Sequence, residues 1–440
     1  MEDPRAPRHS PARGGPLHEG RTERSSALTL GEDVYAELDR RLAPVDAARL
    51  AAYPGPRPGR QPVHTCYVPA DAVVAGLAQN WGQAALAALD EHGPPDLGLA
   101  PELAAAVFPR VRAKLTSEPI EDLRVDAEDG YRGPPDREDD DVAAAAQALT
   151  ADRAAGFAPP SVGIRAKSLE GPTRRRGVRT LDLFLGALAE VDPAAAGGAI
   201  RPRKAPVVTV TLPKVTDVEQ VAAFAPVLDA LAAAHDVELA LELQVETPQA
   251  VLGGDGASTL ARMVHAAGPR LTGLHFGTYD YTAALGIAAG HQASDHPAAD
   301  LAKDLMQVAV AGTAAHAVDG STNILPVGST AQVHAAWQVH AGLVRRALAR
   351  GLYQGWDLHP AQLVTRYAVT YAFFRTALPT AAIRLAAYLD RTGGGVLDEP
   401  ATARALGAVV LRGVDCGAVD EAEVATAVGR PVADLRHATR

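Results

Sequence analysis

Eight short apolar runs, separated mostly by long alanine-rich segments of helical periodicity, predict an α/β fold built from βα units. Eight strands, each followed by a helix, describe a TIM (β/α)8 barrel, here with an insertion after the first strand and a C-terminal helical extension. The 440 residues could hold more than one average domain, but one large barrel with extensions fits the length equally well. A hydrophobic content of 47% supplies a sizeable core. Aromatics at 5% and abundant alanine favour close helix packing over an aromatic-rich sandwich.

Residues 1–26, MEDPRAPRHSPARGGPLHEGRTERSS, are too polar and too rich in Pro, Gly and Ser to offset their ordering entropy, and are expected to be disordered. Their acids Glu2, Asp3, Glu19 and Glu23 argue against a mitochondrial transit peptide. The catalytic barrel is expected over 27–379. Its strands are HTCYVP (64–69), LRVDAED (123–129), SVGIRA (161–166), VVTVTLPKV (207–215), VELALELQVET (237–247), LTGLHFG (271–277), AVDGSTNILP (317–326) and YQGWDLHP (352–359). Amphipathic helices are predicted over 217–234, 300–315 and 331–350, among others. Residues 70–122 form the insertion. Residues 167–206 hold a basic loop, a helix around 179–191 and the loose stretch PAAAGGAIRPRK, and 380–440 form the small helical extension. GGDG (253–256) lacks both a preceding strand and the GxGxxG spacing, so it reads as a turn.

The charge balance of 42 basic and 52 acidic residues, net −10, leaves no global basic field for nucleic acid or an anionic membrane. No apolar run approaches the ~20 residues that span a bilayer, and the N-terminus lacks a secretory apolar core. A cytoplasmic location is expected. Cys66 and Cys416, far apart and outside any CxxC spacing, read as unreactive thiols in a reducing compartment.

In such barrels the active site lies at the C-terminal ends of the strands, so the polar residues that end each run carry the functional information. They are Asp126, Glu128 and Asp129 on the second strand, Arg165 on the third, Lys214 on the fourth and Glu246 on the fifth. Asp280 follows the sixth, Asp319 lies on the seventh and His359 ends the eighth. Glu246 and Asp280 follow strands that would be neighbours, about 4.8 Å apart, so their carboxylates could meet one metal ion or could be unrelated surface acids. Oxygen donors without Cys or His-x-x-x-His suit a hard cation such as Mg²⁺.

The same stretches carry a resemblance. LQVETPQA resembles the Ile-Glu-Thr segment of the HpcH/HpaI aldolase and citrate lyase β-subunit family, and HFGTYDYTAALG its Phe-Gly-x-x-Asp-Leu segment. RVDAEDG resembles its Asp-Leu-Glu-Asp segment, VGIRAKS its Val-Arg-Ile-Asn segment and TLPKV its Leu-Pro-Lys-Val segment. AVDG and GWDLHPAQ resemble its Ile-Asp-Gly and His-Pro-x-Gln segments. Each motif alone is weak; their common order over residues 64–365 carries the resemblance.

It implies the barrel of the phosphoenolpyruvate/pyruvate superfamily, with Mg²⁺ or Mn²⁺ held by Glu246 and Asp280. Asp280 should then point at Glu246, with Arg165 near both. Arg165 matches the arginine that contacts keto acid or enolate oxygens, a role suited to a planar, bidentate guanidinium; the alternative is a salt bridge across the barrel mouth. One or two of Asp126, Glu128 and Asp129 would orient coordinated water. Lys214 would bind substrate or pair with those acids, and Gly277 and Thr278, where the chain turns at the mouth, would contact substrate. A homo-oligomer, trimer or hexamer, is implied by the same analogy.

Other charged groups have simpler readings. The arginines of TRRRG (173–177), in the loop after the third strand, could receive phosphates of a coenzyme A thioester or be merely solvated. DREDDD (136–141) reads as a solvated helix start whose acids complement the helix dipole. His275, inside the sixth strand, reads as a packed core residue, whereas His359 faces the mouth as an acid/base or supporting group.

The sequence also departs from the family pattern. Its early histidine, His64, begins the first strand instead of ending it, which leaves the base unidentified. No motif selects among Asp390, Asp398, Asp415 and Asp420 for the aspartate that malyl- and citramalyl-CoA lyases carry in a C-terminal extension. STNILPVG lacks the acids common after Asp319 in citrate lyase β-subunits. The expectation is an atypical, longer member: a Mg²⁺-dependent carbon–carbon lyase or aldolase acting on a small 2-oxo acid. Arg165 would stabilise the enolate, and a carboxylate or His359 would move the proton. The rival readings are an acyl-CoA thioester lyase or malate-synthase-like condensing enzyme, and a non-enzymatic metabolite-binding barrel.

Overall fold

The computed structural model describes residues 30–189, 207–390 and 399–438, so the N-terminal tail, PAAAGGAIRPRK and Asp398 lie outside the described residues. The chain divides into two units, Met1–Ala51 and Ala52–Arg440. In the first, helix α1 (Glu32–Ala52) has no buried residue, and Val34, Leu38, Leu42 and Val45 are exposed.

The second unit contains all eight predicted strands: β1 (His64–Pro69), β2 (Asp122–Asp126), β3 (Ser161–Arg165), β4 (Val207–Leu212), β5 (Glu238–Val245), β6 (Leu271–Phe276), β7 (His316–Val318) and β8 (Gly355–Asp357). They pair in parallel in the order β7-β6-β5-β4-β3-β2-β1-β8. The gap between β7 and β8 is bridged by Asp319 N–H to Gln354 O (2.9 Å) and by a 2.8 Å side-chain contact of His316 with Gln354. The result is a nearly closed TIM barrel.

Helices α2 (Leu77–His92) and α3 (Pro101–Ser117) occupy the insertion before β2. Then α4 (Glu138–Ala154), α5 (Arg174–Ala189) and α6 (Val218–His235) follow β2, β3 and β4. The chain continues through α7 (Pro248–Val251), α8 (Thr259–Ala267), α9 (Thr278–Ala284), α10 (Pro297–Val310) and α11 (Thr330–Ala349). Helix α12 (Gln362–Leu389) runs through the expected boundary at residue 380 without a break. The extension comprises α13 (Pro400–Asp415), α14 (Glu421–Val428) and α15 (Val432–Ala438). It is held by Tyr371 O–H donating to Cys416 O (2.9 Å) and by the fork of Arg110 on Asp420 (2.9 and 2.7 Å). No helix among the described residues is long and apolar enough to cross a membrane.

Several element boundaries differ from expectation. Strand β2 stops at Asp126, which puts Glu128 and Asp129 on a loop, and β7 and β8 shorten to three residues each. TRRRG is not a loop: Arg174–Arg176 form the first turn of α5, which starts earlier than predicted. Glu138, at the start of the acidic run, is buried, because Arg176 (2.7 Å) and Lys167 (3.3 Å) neutralise it. Glu138 thus sits in an internal ion pair, whereas Asp136 and Asp140 are exposed and the acids 138–141 form the first turn of α4, as expected of a helix start.

Strand alternation sorts side chains into two interiors. Cys66, Val68, Leu123, Val125, Ile164, Val208, Val210, Leu241 and Leu243 pack into the apolar core cluster that also includes the helices. The opposite faces build a polar barrel interior. Arg124 on β2 reaches across to Glu242 on β5 (Nε–Oε2 3.1 Å), while its Nη1 meets Asp122 at 2.6 Å; all three are buried. His275 on β6 accepts the indole N–H of Trp356 (3.2 Å) and lies 3.2 Å from Glu242; fully buried, it is a core residue as expected.

A second buried network lies between β1, β8 and helices α11 and α12. His64 Nε2 accepts the Glu121 amide (3.0 Å), so Nδ1 is the protonated nitrogen that meets Asp357 at 3.0 Å; His340 and Arg366 meet Asp357 at 3.1 and 3.0 Å. Burial opposes ionisation of Asp357, but Arg366 and the histidine N–H donors outweigh it and hold the carboxyl well below the usual range.

These interiors make a stability prediction. Arg124→Leu removes the one guanidinium shared by the buried Asp122 and Glu242 and is expected to cost about 3–5 kcal/mol in urea unfolding. Arg112→Ala, which removes an exposed pair with Asp90, is expected to cost less than about 1 kcal/mol. Equal costs would contradict the assignment of Arg124 as the central cation of the barrel.

Candidate functional site

At the end of β2 the Asp126 carboxylate is used four times. It accepts the amides of Glu128 (3.0 Å) and Gly130 (2.9 Å), and it receives Arg165 through Nε (2.8 Å) and Nη2 (2.5 Å). A Cβ on Gly130 would lie 2.2 Å from Asp126 Oδ2, so only glycine lets the loop wrap so closely. Arg165 Nη1 donates to Gln244 Oε1 (3.1 Å), and the guanidinium lies 5.0 Å from the Tyr67 ring centre and 5.8 Å from that of Trp356. Those two rings stack at 4.3 Å. Arg165 is therefore buried, oriented on one side by a carboxylate and supported from below by two aromatic faces.

Gln244 carries the connection onward. Its Nε2 donates to Glu246 Oε2, while Glu246 Oε1 accepts the backbone N–H of Lys214 at 2.7 Å. Lys214 has φ +53°, a left-handed conformation that non-glycine residues rarely adopt and that is often found at functional sites. Gly277 is required beside Glu246: a Cβ there would sit 2.5 Å from Glu246 Cβ and 2.8 Å from Oε2.

The Lys214 ammonium gathers the remaining acids. Nζ lies 2.7 Å from Asp129, 2.8 Å from Asp280, 3.7 Å from Glu246 and 4.0 Å from Glu128. Glu128 is also 3.8 Å from Arg165 Nη1. Asp280 and Glu246 thus address the same cationic point, and Arg165 reaches Glu246 through Gln244.

Five carboxylates (Asp126, Glu128, Asp129, Glu246 and Asp280) face two side-chain cations, and burial raises the two glutamates among them. Burial pushes Glu246 up to about 8, although Lys214 and Arg165 pull the other way. Burial also raises Glu128 to about 7, against the pull of Arg165 and with a further push from Asp129. Burial disfavours the charged Lys214, but Glu246 and Asp129 outweigh it and raise its pKa.

The donor chemistry fits a hard divalent cation. Glu246 and Asp280 supply two carboxylates where positive charge is already drawn, as the position of the Lys214 ammonium shows. Among the described residues no three of His, Cys, Asp and Glu gather as a ligand set, so an all-protein cage is not offered. Mg²⁺ needs none: it is commonly bound by one or two carboxylates plus water and substrate oxygens.

The other predicted residues are placed differently. His359 makes its hydrogen bonds within its own turn: Nδ1 accepts the Ala361 amide at 3.2 Å, and burial lowers its pKa. Thr278 is buried, with its hydroxyl directed to Ser321 O (3.4 Å), and Gly277 N–H bonds to Val245 O. Asp319 is a strut, bonded to Lys303 (2.8 Å), Ser294 (2.7 Å) and the Gly320 amide (2.9 Å). Of the extension's aspartates, Asp390 pairs with Arg430, Asp415 with Arg436 and Asp420 with Arg110. Gln244, Tyr67 and Trp356 escaped sequence reasoning. For Gln244 a signal existed: two residues before Glu246, it shares the same strand face.

Residues 42–440 match the family model described as domain of unknown function DUF6986. Comparison with curated proteins finds no match. Among solved structures, a citrate lyase from Burkholderia xenovorans LB400 aligns with a TM-score of 0.54 and 21% identity, covering 87% of this chain and 97% of that one. A malate synthase from Haloferax volcanii aligns with a TM-score of 0.47 and 17% identity, over 72% of this chain and 76% of that one. The likeness to the citrate lyase is a likeness of fold. The family model spans all eight strands and the extension, and this chain therefore belongs to the DUF6986 family.

Proposed function

We propose that this protein is a divalent-metal-dependent carbon–carbon lyase or aldolase acting on a small 2-oxo acid or its aldol adduct. The observation that carries the reading is the continuous chain Asp126–Arg165–Gln244–Glu246, with Asp280 joined to it through Lys214, at the C-terminal end of the barrel. The ordered motifs that resemble the HpcH/HpaI and citrate lyase β-subunit family fall on these same residues. Glu246 and Asp280 would hold Mg²⁺ or Mn²⁺, which when bound would polarise the carbonyl of the oxo acid.

The chain's own residues supply the rest. Arg165, fixed by Asp126 and shielded from water by Tyr67 and Trp356, offers a preoriented positive charge where enolate charge develops on C–C cleavage. Glu128, raised to about 7 and adjacent to both Arg165 and Lys214, is the group best poised to take and return a proton near neutral pH. It suits that task better than His359, which is turned into its own loop. For the thioester reading, Arg176 is committed to Glu138 and Pro135 O, which leaves the exposed Arg174 and Arg175 to receive phosphates.

Three outcomes test this reading. Retro-aldol release of pyruvate, oxaloacetate or glyoxylate should require Mg²⁺ or Mn²⁺ and should be abolished by Glu246→Gln or Asp280→Asn; metal-independent release, or release unaffected by both substitutions, would sink it. Arg165→Lys should lower kcat by about 10²–10³ with a smaller change in KM, as loss of transition-state charge stabilisation requires. With Glu128 as base, the rate should rise with pH through about 7 and that limb should vanish in Glu128→Gln. A profile unchanged in the variant would assign the proton transfer elsewhere.

A further inference from the structure

We propose that Lys214 is a built-in counter-cation that competes with the divalent metal for Glu246 and Asp280, so that its ammonium must move aside before the metal is held. This inference rests on the reading of those two carboxylates as the metal's ligands and asks what controls their occupancy.

Geometry makes the competition direct. The ammonium is 2.8 Å from Asp280 Oδ2 and 3.7 Å from Glu246 Oε2, so it stands at the point the two acids share. A metal bound to that Asp280 oxygen at the ~2.1 Å that Mg²⁺ demands would leave the ammonium no farther than about 5 Å away. Like charges so close, beside buried Glu246, oppose each other strongly.

The same geometry offers the displaced group a second berth. Lys214 Nζ already contacts Asp129 at 2.7 Å, on the exposed side of the β2 loop, and Glu128 stands 4.0 Å away. Meanwhile the Lys214 backbone is held apart from any side-chain movement: its left-handed φ aims the amide at Glu246 Oε1 at 2.7 Å. The residue thus has two separable functions. Its main chain orients Glu246, and its flexible four-carbon stem carries a charge that can shift from Asp280 toward Asp129 without disturbing that amide.

A lysine serving only to bind substrate predicts little change in metal affinity. One that holds the acids in place predicts weaker metal binding when it is removed. Competition predicts the opposite of the second and a larger effect than the first.

The test is calorimetric titration of the full-length, chelator-stripped protein with Mn²⁺ alone. Lys214→Met is expected to bind Mn²⁺ at least about tenfold more tightly than the wild type, and Lys214→Gln to do the same should the methionine variant fold poorly. Lys214→Arg, which keeps the charge, should stay within about threefold of the wild type. Lys167→Met is the control for nearby charge, because Lys167 contacts Ala127 O and Glu138 but not the acid cluster; it should leave the affinity within about twofold.

Unchanged or weaker binding in both Lys214→Met and Lys214→Gln overturns the inference, as does an equal gain in Lys167→Met. Wild-type binding that Glu246→Gln does not affect would instead overturn the metal reading on which the inference stands. Absence of binding in the wild type and both neutral variants would overturn the two together.

Discussion

The two-pronged bond between Asp126 and Arg165 is the constraint around which the mouth of this barrel is arranged. It joins the C-terminal ends of adjacent strands, and both partners are buried. A buried ion pair is stabilising only when its remaining hydrogen-bonding capacity is satisfied. Here the carboxylate's other lone pairs take the amides of Glu128 and Gly130, and the guanidinium's free edge takes Gln244. The bond therefore shapes the β2 loop on one side and, through Gln244, orients Glu246 on the other.

Below it the barrel is filled by charge instead of by the aliphatic layers common in this fold. Arg124, Asp122, Glu242, His275 and Trp356 form a connected polar interior, with Tyr67 and Trp356 separating it from the site above. Each charge is costly to bury and is offset only by its partners, so the interior tolerates few changes. The aromatic pair has a second consequence. Its rings lie 5.0 and 5.8 Å from the Arg165 guanidinium and so add two π faces to the polar partners that hold it.

The acids around Lys214 show the opposite economy. Glu246 and Glu128 are pushed toward or above neutrality because burial is only partly compensated by Lys214 and Arg165. Carboxyls raised in this way hold their protons near neutral pH more readily than exposed ones, and any further positive charge beside them would favour their ionised forms. The glycines at 130 and 277 belong to the same arrangement, since a methyl group at either would collide with a site carboxylate.

Much of this was legible in the residues themselves. Strand count and alternation predicted the barrel because period and burial are local properties, and strand-end position located Arg165, Lys214, Glu246 and Asp280 at one mouth. Contacts between residues distant in the chain were not legible. Nothing local distinguishes Glu138, buried on Arg176 and Lys167, from the solvated acids beside it, nor shows that TRRRG starts a helix. Nor could spacing reveal that Asp319 is consumed by Lys303, or that His359 turns into its own loop. The sequence by itself determined which elements form and which charged groups stand at their ends. Only the tertiary structure decided which charges meet, because pairing, desolvation and the resulting acidities depend on distances between strands that the linear order does not contain.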